Sequence, residues 1–412
     1  MDKFENYSTK FVQAVGNKEG EISPSIINSA AFAYSNAENA ENIFSGTIQK
    51  PLYSRMGNPT TSKLETIICE MDKGIGAVAT SSGMGAITLA CISLLSSGDE
   101  IISIGGLFGG TYTLFSETLN RFGIQTNFFD VDELENIKKS ITEKTKIIFL
   151  ESVGNPNMKL PDIKAIATIA NEAKVALIVD NTITPLSISP LELGADIVVY
   201  STTKIIAGNS SALGGCAVFR TIKDGEDKFK SKRYPFLSKF IKNAKKMALI
   251  QNAKKRALRD FGMSANANAS YQTLLGLETL PLRLSRIVNS LEYIVQKLEG
   301  NGLNVNHPSL VSHPHYKRYK NDFLNGCGTL FTIDMGSKDA AYKFINNTKL
   351  ATISANIGDS RTLALHMAST IYRDFEIEKR EFLGITDGLI RISIGLENPQ
   401  DIVKDFLNAA KK

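Results

Sequence analysis

Tryptophan is absent from this 412-residue chain, and histidine nearly so, with four residues. Three of those four fall within His307–His315, a poor stock for a transition-metal enzyme. Cysteine is scarce as well. Cys69, Cys91, Cys216 and Cys327 stand far apart with no CxxC, which argues against a disulfide scaffold or zinc module and fits a reducing cytoplasm. No apolar run approaches the ~20 residues of a membrane-spanning helix; the longest nearly apolar stretch is Met84–Leu95. The start, Met1-Asp2-Lys3-Phe4-Glu5-Asn6, has no apolar h-region, so no secretory signal is expected. Neither GxGxxG nor GxxxxGK[ST] occurs, which removes the main support for dinucleotide and P-loop readings.

What is present is ordinary for a globular chain: 43% hydrophobic and 22% charged residues, which excludes disordered and fibrous classes. The length predicts two or three domains. The net charge of +5 is unevenly spread. Residues 221–260 hold 13 Lys/Arg against 4 Asp/Glu, so the remainder carries 34 against 38.

From about residue 75 to 220, short apolar runs alternate with amphipathic stretches. The expected strands are Ala77–Ser81, Glu100–Ile104, Gln125–Phe129, Ile147–Glu151, Val175–Asp180, Ile197–Tyr200 and Cys216–Phe219. Helices are expected at Met84–Leu95, Tyr112–Arg121, Val131–Ile141 and Ile163–Ala173. Runs such as Val-Ala-Leu-Ile-Val lack polar alternation, the pattern of strands buried on both faces of a mainly parallel sheet. Residues 1–50 read as a polar arm with one helix at Ala37–Phe44. Leu237, Phe240, Ile241, Ala244, Met247 and Ala248 recur at helical spacing, which predicts one amphipathic helix with a solvated basic face. A helix at Ser285–Leu298 and strands at Thr329–Met335 and Leu389–Ile394 point to a smaller C-terminal α/β domain. The expected division is 1–50 arm, 51–262 ligand-binding domain and 263–412 C-terminal domain.

In open α/β sheets ligands bind beyond the carboxyl ends of the strands. There the chain places Ser81-Ser82-Gly83-Met84-Gly85, Gly105-Gly106-Leu107-Phe108-Gly109-Gly110, Glu151-Ser152-Val153-Gly154-Asn155, Asp180-Asn181-Thr182 and Ser201-Thr202-Thr203-Lys204. The Ser-Ser-Gly-Met-Gly turn before a helix is a candidate anion cradle, though a plain strand-to-helix turn accounts for it as well. Asp180 alone reads as a cap, and Lys204 alone as a surface lysine. As a set they form a kit for pyridoxal phosphate. The lysine forms an imine, the carboxylate keeps the pyridine nitrogen protonated, and the turn and hydroxyls bind the phosphate.

The set also resembles a known family. Tyr53-Ser54-Arg55-Met56-Gly57-Asn58-Pro59-Thr60 is similar to a motif of the Cys/Met-metabolism pyridoxal-phosphate enzymes. The similarity continues through Ser81–Met84, Glu151 with Asn155-Pro156-Asn157-Met158, Val179–Thr182, Leu193-Gly194-Ala195-Asp196, Ser201–Lys204, Gly276–Arg283 and Leu389–Glu397, nearly the whole chain in order. The resemblance implies an α/β, fold type I pyridoxal-phosphate transferase: a mainly parallel seven-stranded sheet flanked by helices, a smaller C-terminal α/β domain and an N-terminal arm. It implies that Lys204 carries the cofactor and moves protons, and that Asp180 pairs with the pyridinium. Ser82, Gly83, Met84, Ser201 and Thr203 would hold the phosphate. Phe108 would stack on the ring, with Asn155 at the 3-oxygen and Glu151 behind it. Tyr53 and Arg55 would serve a neighbouring subunit's phosphate, which makes a dimer the minimal unit and a homotetramer the expected assembly. Arg391 would grip the substrate carboxylate as a bidentate fork, with Asn356 and Tyr112 also near the substrate.

Two features bear on the reaction. Phe108 stands where many relatives have Tyr. Without that hydroxyl a leaving thiolate, of pKa about 8.5, lacks a general acid, whereas acetate leaves unaided. Tyr53 remains a candidate near the γ-position, and Tyr112 would need a rearranged loop. Ser354-Ala355-Asn356-Ile357-Gly358-Asp359 resembles the O-acetylhomoserine sulfhydrylase version of its segment. The expected reaction is therefore γ-replacement on O-acetylhomoserine by a sulfur nucleophile: sulfide, a thiol or a sulfur-carrier protein. The alternatives are methionine γ-lyase and cystathionine γ-synthase or γ-lyase. The basic segment reads as a solvated helix face, with docking of an acidic carrier as a second reading. No nucleic-acid or membrane partner is expected, because no aromatic platform accompanies the lysines.

Overall fold

The computed structural model describes residues 5–16, 20–223, 226–230, 232–323 and 325–411. The seven apolar runs form strands β1 (Gly76–Thr80), β2 (Glu100–Ile104), β3 (Gln125–Phe129), β4 (Thr145–Glu151), β5 (Ala176–Asp180), β6 (Ile197–Tyr200) and β7 (Gly215–Phe219). They make one sheet in the order β1-β7-β6-β5-β4-β2-β3. Pairing is parallel from β3 to β6, and β7 runs antiparallel to both β6 and β1. Alternate residues feed two separate cores. Ile102, Ile148, Leu150, Leu177 and Val179 lie in one; Ile101, Ile147, Phe149, Ile178 and Val199 lie in the other. With both faces of the central strands covered, their middles are nearly unbroken apolar runs, whereas the edge strand β3 is partly exposed and carries Gln125, Thr126 and Asn127.

A second sheet contains β8 (Val305–Asn306), β9 (Leu330–Asp334), β10 (Thr352–Ile353), β11 (Leu363–His366) and β12 (Leu389–Ser393) in the order β10-β11-β12-β9-β8. Helices Leu280–Glu299, Lys338–Asn347 and Pro399–Lys411 pack beside it. Phe331, Ile333, Ile390 and Ile392 share a core with Leu150 and Leu177, so the small sheet is fused to one face of the large one. This fusion brings the β12 and β10–β11 loops over the carboxyl ends of β4–β6.

Several elements differ from expectation. The helix expected over 131–141 is only Leu134–Ser140, because Glu133 Oε2 accepts the Asp130 N–H at 2.7 Å and holds a turn first. The helix expected from Tyr112 starts at Gly109 and widens into a π turn at Leu114–Thr118. The basic segment is not one helix. Leu237–Ala244 ends at Lys245, whose φ of 44° breaks the run, and a new helix begins at Ala248. Met247, placed on the apolar face by its spacing, is 39% exposed. An unanticipated helix, Glu5–Val15, packs on helices Pro59–Met71, Ala267–Glu278 and Leu280–Glu299, with Phe11 and Val15 buried. The helix at Ala37–Ser45 is present, and Ile22 and Phe44 around it are exposed. Among the described residues no helix is long and apolar enough to cross a membrane.

Candidate active site

Strands β1, β4, β5 and β6 end at one edge of the sheet, and the residues just beyond them line a cavity of about 200 Å³. Ser82, Gly83 and Met84 come from β1, Glu151 and Asn155 from β4, Asp180 and Thr182 from β5, and Ser201, Thr203 and Lys204 from β6. Phe108 enters from the loop after β2. Ala355, Ile357 and Arg391 come from the second sheet.

The anion cradle is built from close approach. Ser82 caps helix Gly83–Leu94, its hydroxyl accepting the Gly85 N–H at 3.0 Å. The first-turn N–H groups of such a helix have no partner within it and lie at its positive end. A Cβ on Gly83 would fall 2.5 Å from the Ser201 Cβ, so only glycine lets the helix start touch the β6 loop. Gly215 is tighter still: its Cβ would fall 2.2 Å from the Ser82 carbonyl oxygen. Thr182 ties the layers together, its hydroxyl accepting the Ser201 N–H at 2.7 Å while its own N–H donates to Asp180 at 2.9 Å. The Thr203 hydroxyl is bonded to both the N–H and the carbonyl of Gly214.

Glu151 and Asp180 are direct register partners across β4 and β5. Burial pushes Asp180 up to about 6. Burial, with Asp180 beside it, pushes Glu151 well above the usual carboxylate range, although the Phe108 N–H donates to it at 2.7 Å. Burial and the neighbouring Arg391 guanidinium pull Lys204 down to about 8. Lys204 Nζ donates to Asn356 Oδ1 at 2.7 Å. Arg391 is buried and lowered by that burial to about 10, so it remains charged at neutral pH. Its guanidinium donates to Asn155 Oδ1 at 3.3 Å and to the Ala355 carbonyl at 3.1 Å. Arg283 crosses beneath the turn that follows Lys204, donating to the carbonyls of Ile205, Ile206 and Gly276 at 2.6, 3.0 and 2.6 Å.

Ser82, Gly83, Met84, Phe108, Glu151, Asn155, Asp180, Ser201, Thr203, Lys204 and Arg391 thus converge, and Asn356 joins them through Lys204. Three expected residues lie elsewhere in the single chain. Tyr53 is exposed, with the Arg55 guanidinium 5.6 Å from its ring centre, and Arg55 Nη1 donates to the Arg259 carbonyl. Tyr112 stacks on Phe128 with ring centres 4.7 Å apart and does not line the cavity. Thr182, Gly215 and Tyr372 were not singled out from sequence. Tyr372 is buried and donates to the Asn155 carbonyl at 3.1 Å. Thr182 stood inside a motif without a role of its own, Gly215 directly precedes the expected strand Cys216–Phe219, and Tyr372 carried no signal.

The residues fit pyridoxal phosphate. The cavity combines a glycine-held helix start, a lysine lowered by burial to about 8 and a buried carboxylate. Together with the sheet order, these define a fold type I pyridoxal-phosphate enzyme. A family model described as "Cys/Met metabolism PLP-dependent enzyme" matches residues 8–411. The chain belongs to that family. It is 37% identical over 378 residues to a homocysteine synthase of Schizosaccharomyces pombe, covering 88% of each chain. It is 33% identical over 402 residues to an L-methionine gamma-lyase of Fusobacterium nucleatum subsp. polymorphum, covering 96% of this chain and 95% of that one. A crystal structure of a putative O-acetylhomoserine (thiol)-lyase from Campylobacter jejuni superposes with a TM-score of 0.91 at 32% identity. The match covers 98% of this chain and all of that one, which carries an N'-pyridoxyl-lysine-5'-monophosphate.

Proposed function

We propose that this chain catalyses γ-replacement on O-acetylhomoserine, with a sulfur nucleophile adding and acetate leaving to give homocysteine in methionine biosynthesis. The observation that carries this reading is Phe108 in the cavity wall. At that place a phenol would protonate a leaving thiolate; a benzene ring cannot, which favours a leaving group stable as an anion, such as acetate. Tyr112, the nearby phenol, is committed to its stack on Phe128. The resemblance of the Ser354–Asp359 segment, whose Asn356 contacts Lys204, supports the same branch of the family.

Pyridoxal phosphate, when bound, supplies an electron sink for carbanions on the substrate. In this reading Lys204 holds the cofactor at rest and moves protons at Cα and Cβ, for which a value lowered to about 8 suits it. Asp180 stays ionised against the pyridinium, and the Gly83–Met84 helix start, Ser82, Ser201 and Thr203 take the phosphate. Arg391 orients the substrate carboxylate, held for that task by Asn155 and the Ala355 carbonyl. Tyr53 and Arg55 complete the neighbouring subunit's site within a cytoplasmic homotetramer built from dimers. Their surface position, and the exposed Ile22 and Phe44 of the arm, are consistent with that assignment.

A substrate panel tests the reading. O-acetylhomoserine, O-succinylhomoserine, cystathionine and methionine are each tried with sulfide, cysteine and methanethiol. Homocysteine from O-acetylhomoserine and sulfide is expected to be the fastest product. Rapid 2-oxobutyrate release from methionine alone would assign the chain to the lyase branch instead.

A further inference from the structure

The loop that follows Lys204 and the loop between β10 and β11 are latched by four hydrogen bonds. Lys204 Nζ donates to Asn356 Oδ1 at 2.7 Å, and the Ser360 N–H donates to the Gly208 carbonyl at 2.9 Å. Between them, Asn356 Nδ2 donates to Ser210 Oγ at 2.8 Å, and the Ser210 hydroxyl donates to Asp359 Oδ2. Gly358, at φ 67°, lies against the Ile205 backbone, where its Cβ would fall 2.6 Å from the Ile205 nitrogen.

The hydrogen bonds in this chain have a direction. Asp359 is buried and paired with Arg361, whose Nη1 and backbone N–H donate to Oδ1 at 2.8 and 2.9 Å. Its other oxygen can only accept, so the Ser210 proton points at Asp359. The Ser210 lone pairs therefore face Asn356, which must present its NH2 to the serine and its oxygen to Lys204. An amide can otherwise sit either way round. We propose that Ser210 and Asp359 are positioning residues for Lys204, fixing Asn356 so that its oxygen, and not its nitrogen, faces the lysine amine.

The consequence is control of the proton on Lys204 from outside the cavity. The charged groups around that amine are Arg391 from β12, and Asp180 and Glu151 at the ends of β5 and β4. Asn356 adds an acceptor that favours the ammonium. In Asp359→Asn the new NH2 must face Ser210, since the opposite orientation would set it against the two Arg361 donors. The serine proton then turns to Asn356, the amide flips, and a donor faces Lys204. Ser210→Gly removes the hydroxyl without reversing anything, and it suits the backbone, because Ser210 sits at φ 58°.

The functional meaning rests on Lys204 being the cofactor lysine, so the test separates the two claims. The full-length chain is stripped of cofactor, and the rate at which added pyridoxal 5'-phosphate becomes borohydride-trappable on Lys204 is followed against pH. Only the neutral amine reacts, so the midpoint reports its proton affinity. In Asp359→Asn the midpoint should fall by about one pH unit, the size expected for reversing a charge-assisted hydrogen bond, with the high-pH plateau unchanged. Ser210→Gly should give a smaller shift in the same direction. Unmoved midpoints in both variants, or a larger shift in Ser210→Gly, would overturn the proposal. Covalent trapping that survives Lys204→Ala would instead overturn the assignment of Lys204.

Discussion

Arg283→Lys removes the fork that underpins the lysine turn and keeps the charge. The guanidinium makes four bonds: three to the carbonyls of Ile205, Ile206 and Gly276, and one from Nε to Thr279 Oγ1 at 3.2 Å. Nη1 serves the Ile205 carbonyl and Nη2 those of Ile206 and Gly276, a spread of acceptors that a planar fork meets at once. One ammonium on a shorter stem reaches one or two acceptors and leaves at least two buried partners unmet. At about 1–3 kcal/mol for each orphaned group, with some repacking, the cost is about 3 kcal/mol. For a chain of this size that is a fall of about 6 °C in Tm, at roughly 2 °C per kcal/mol. The turn that loosens carries Lys204, so cofactor retention on gel filtration should fall as well. Gly208→Ala should reproduce both effects with Arg283 intact, since its Cβ would fall 2.0 Å from Arg283 Nη1 and push the guanidinium away. A lysine variant that melts within a degree of the native chain and keeps its cofactor would refute the reasoning.

Two further outcomes follow from buried geometry. Gly215→Ala drives a Cβ into the Ser82 carbonyl and to 2.8 Å from the Gly83 nitrogen, both backbone atoms that cannot swing aside. Titration of the cofactor-free variant should show pyridoxal phosphate bound about tenfold more weakly or worse, and unchanged affinity would clear Gly215 of any part in the cradle. Asp72 is buried, accepts the Tyr200 hydroxyl at 2.6 Å, and is pushed up to about 7 by that burial from an ordinary 3.8. A raised acid contributes stability below its unfolded value that is lost as pH climbs through its folded one. Asp72→Asn stays neutral and still accepts from Tyr200. Its stability advantage over the native chain should grow between pH 4 and 7 by up to about 4 kcal/mol, and a flat difference in urea melts across that window would show that Asp72 is not the buried acid described here.

Legibility from sequence tracked how local each cause is. Glu151, Asp180 and Lys204 each end or follow a run of buried β residues, and a parallel sheet collects such ends at one edge, so their meeting could be foreseen. The break at Lys245 could not, because the apolar spacing on both sides is helical and only the backbone dihedral interrupts it. Gly276–Arg283 was visible as a motif, but the meaning of Arg283 depends on carbonyls 78 and 77 residues earlier in the chain. Charge counting was right about most of the basic segment but blind to its exceptions. It assigned residues 221–260 to a solvated face, yet Lys228 is buried against Asp196 at 2.6 Å, Arg256 lies 3.9 Å over Phe236, and Arg233 donates to the Thr142 carbonyl. A few of these basic residues are structural; most are exposed, as the solvated-face reading expected, but they are spread along a broken helix.

The electrostatics of the cavity share one logic. Lys204 is held closer to neutral than a free lysine, and Asp180 and Glu151 closer to neutral than free carboxylates, all chiefly by desolvation. Groups in that condition favour a ligand that returns the missing charge. A phosphate at the helix start and a cationic ring nitrogen within reach of Asp180 would each relieve a penalty the protein alone sustains. Asp180 would then return toward an ordinary carboxylate value, and Arg391 would pair with a substrate carboxylate in place of backbone carbonyls. In the proposed roles, binding energy would be concentrated on Lys204, Asp180 and Arg391, and the burial that penalises their charges in the bare site would favour a guest carrying an anionic phosphate and a cationic ring nitrogen.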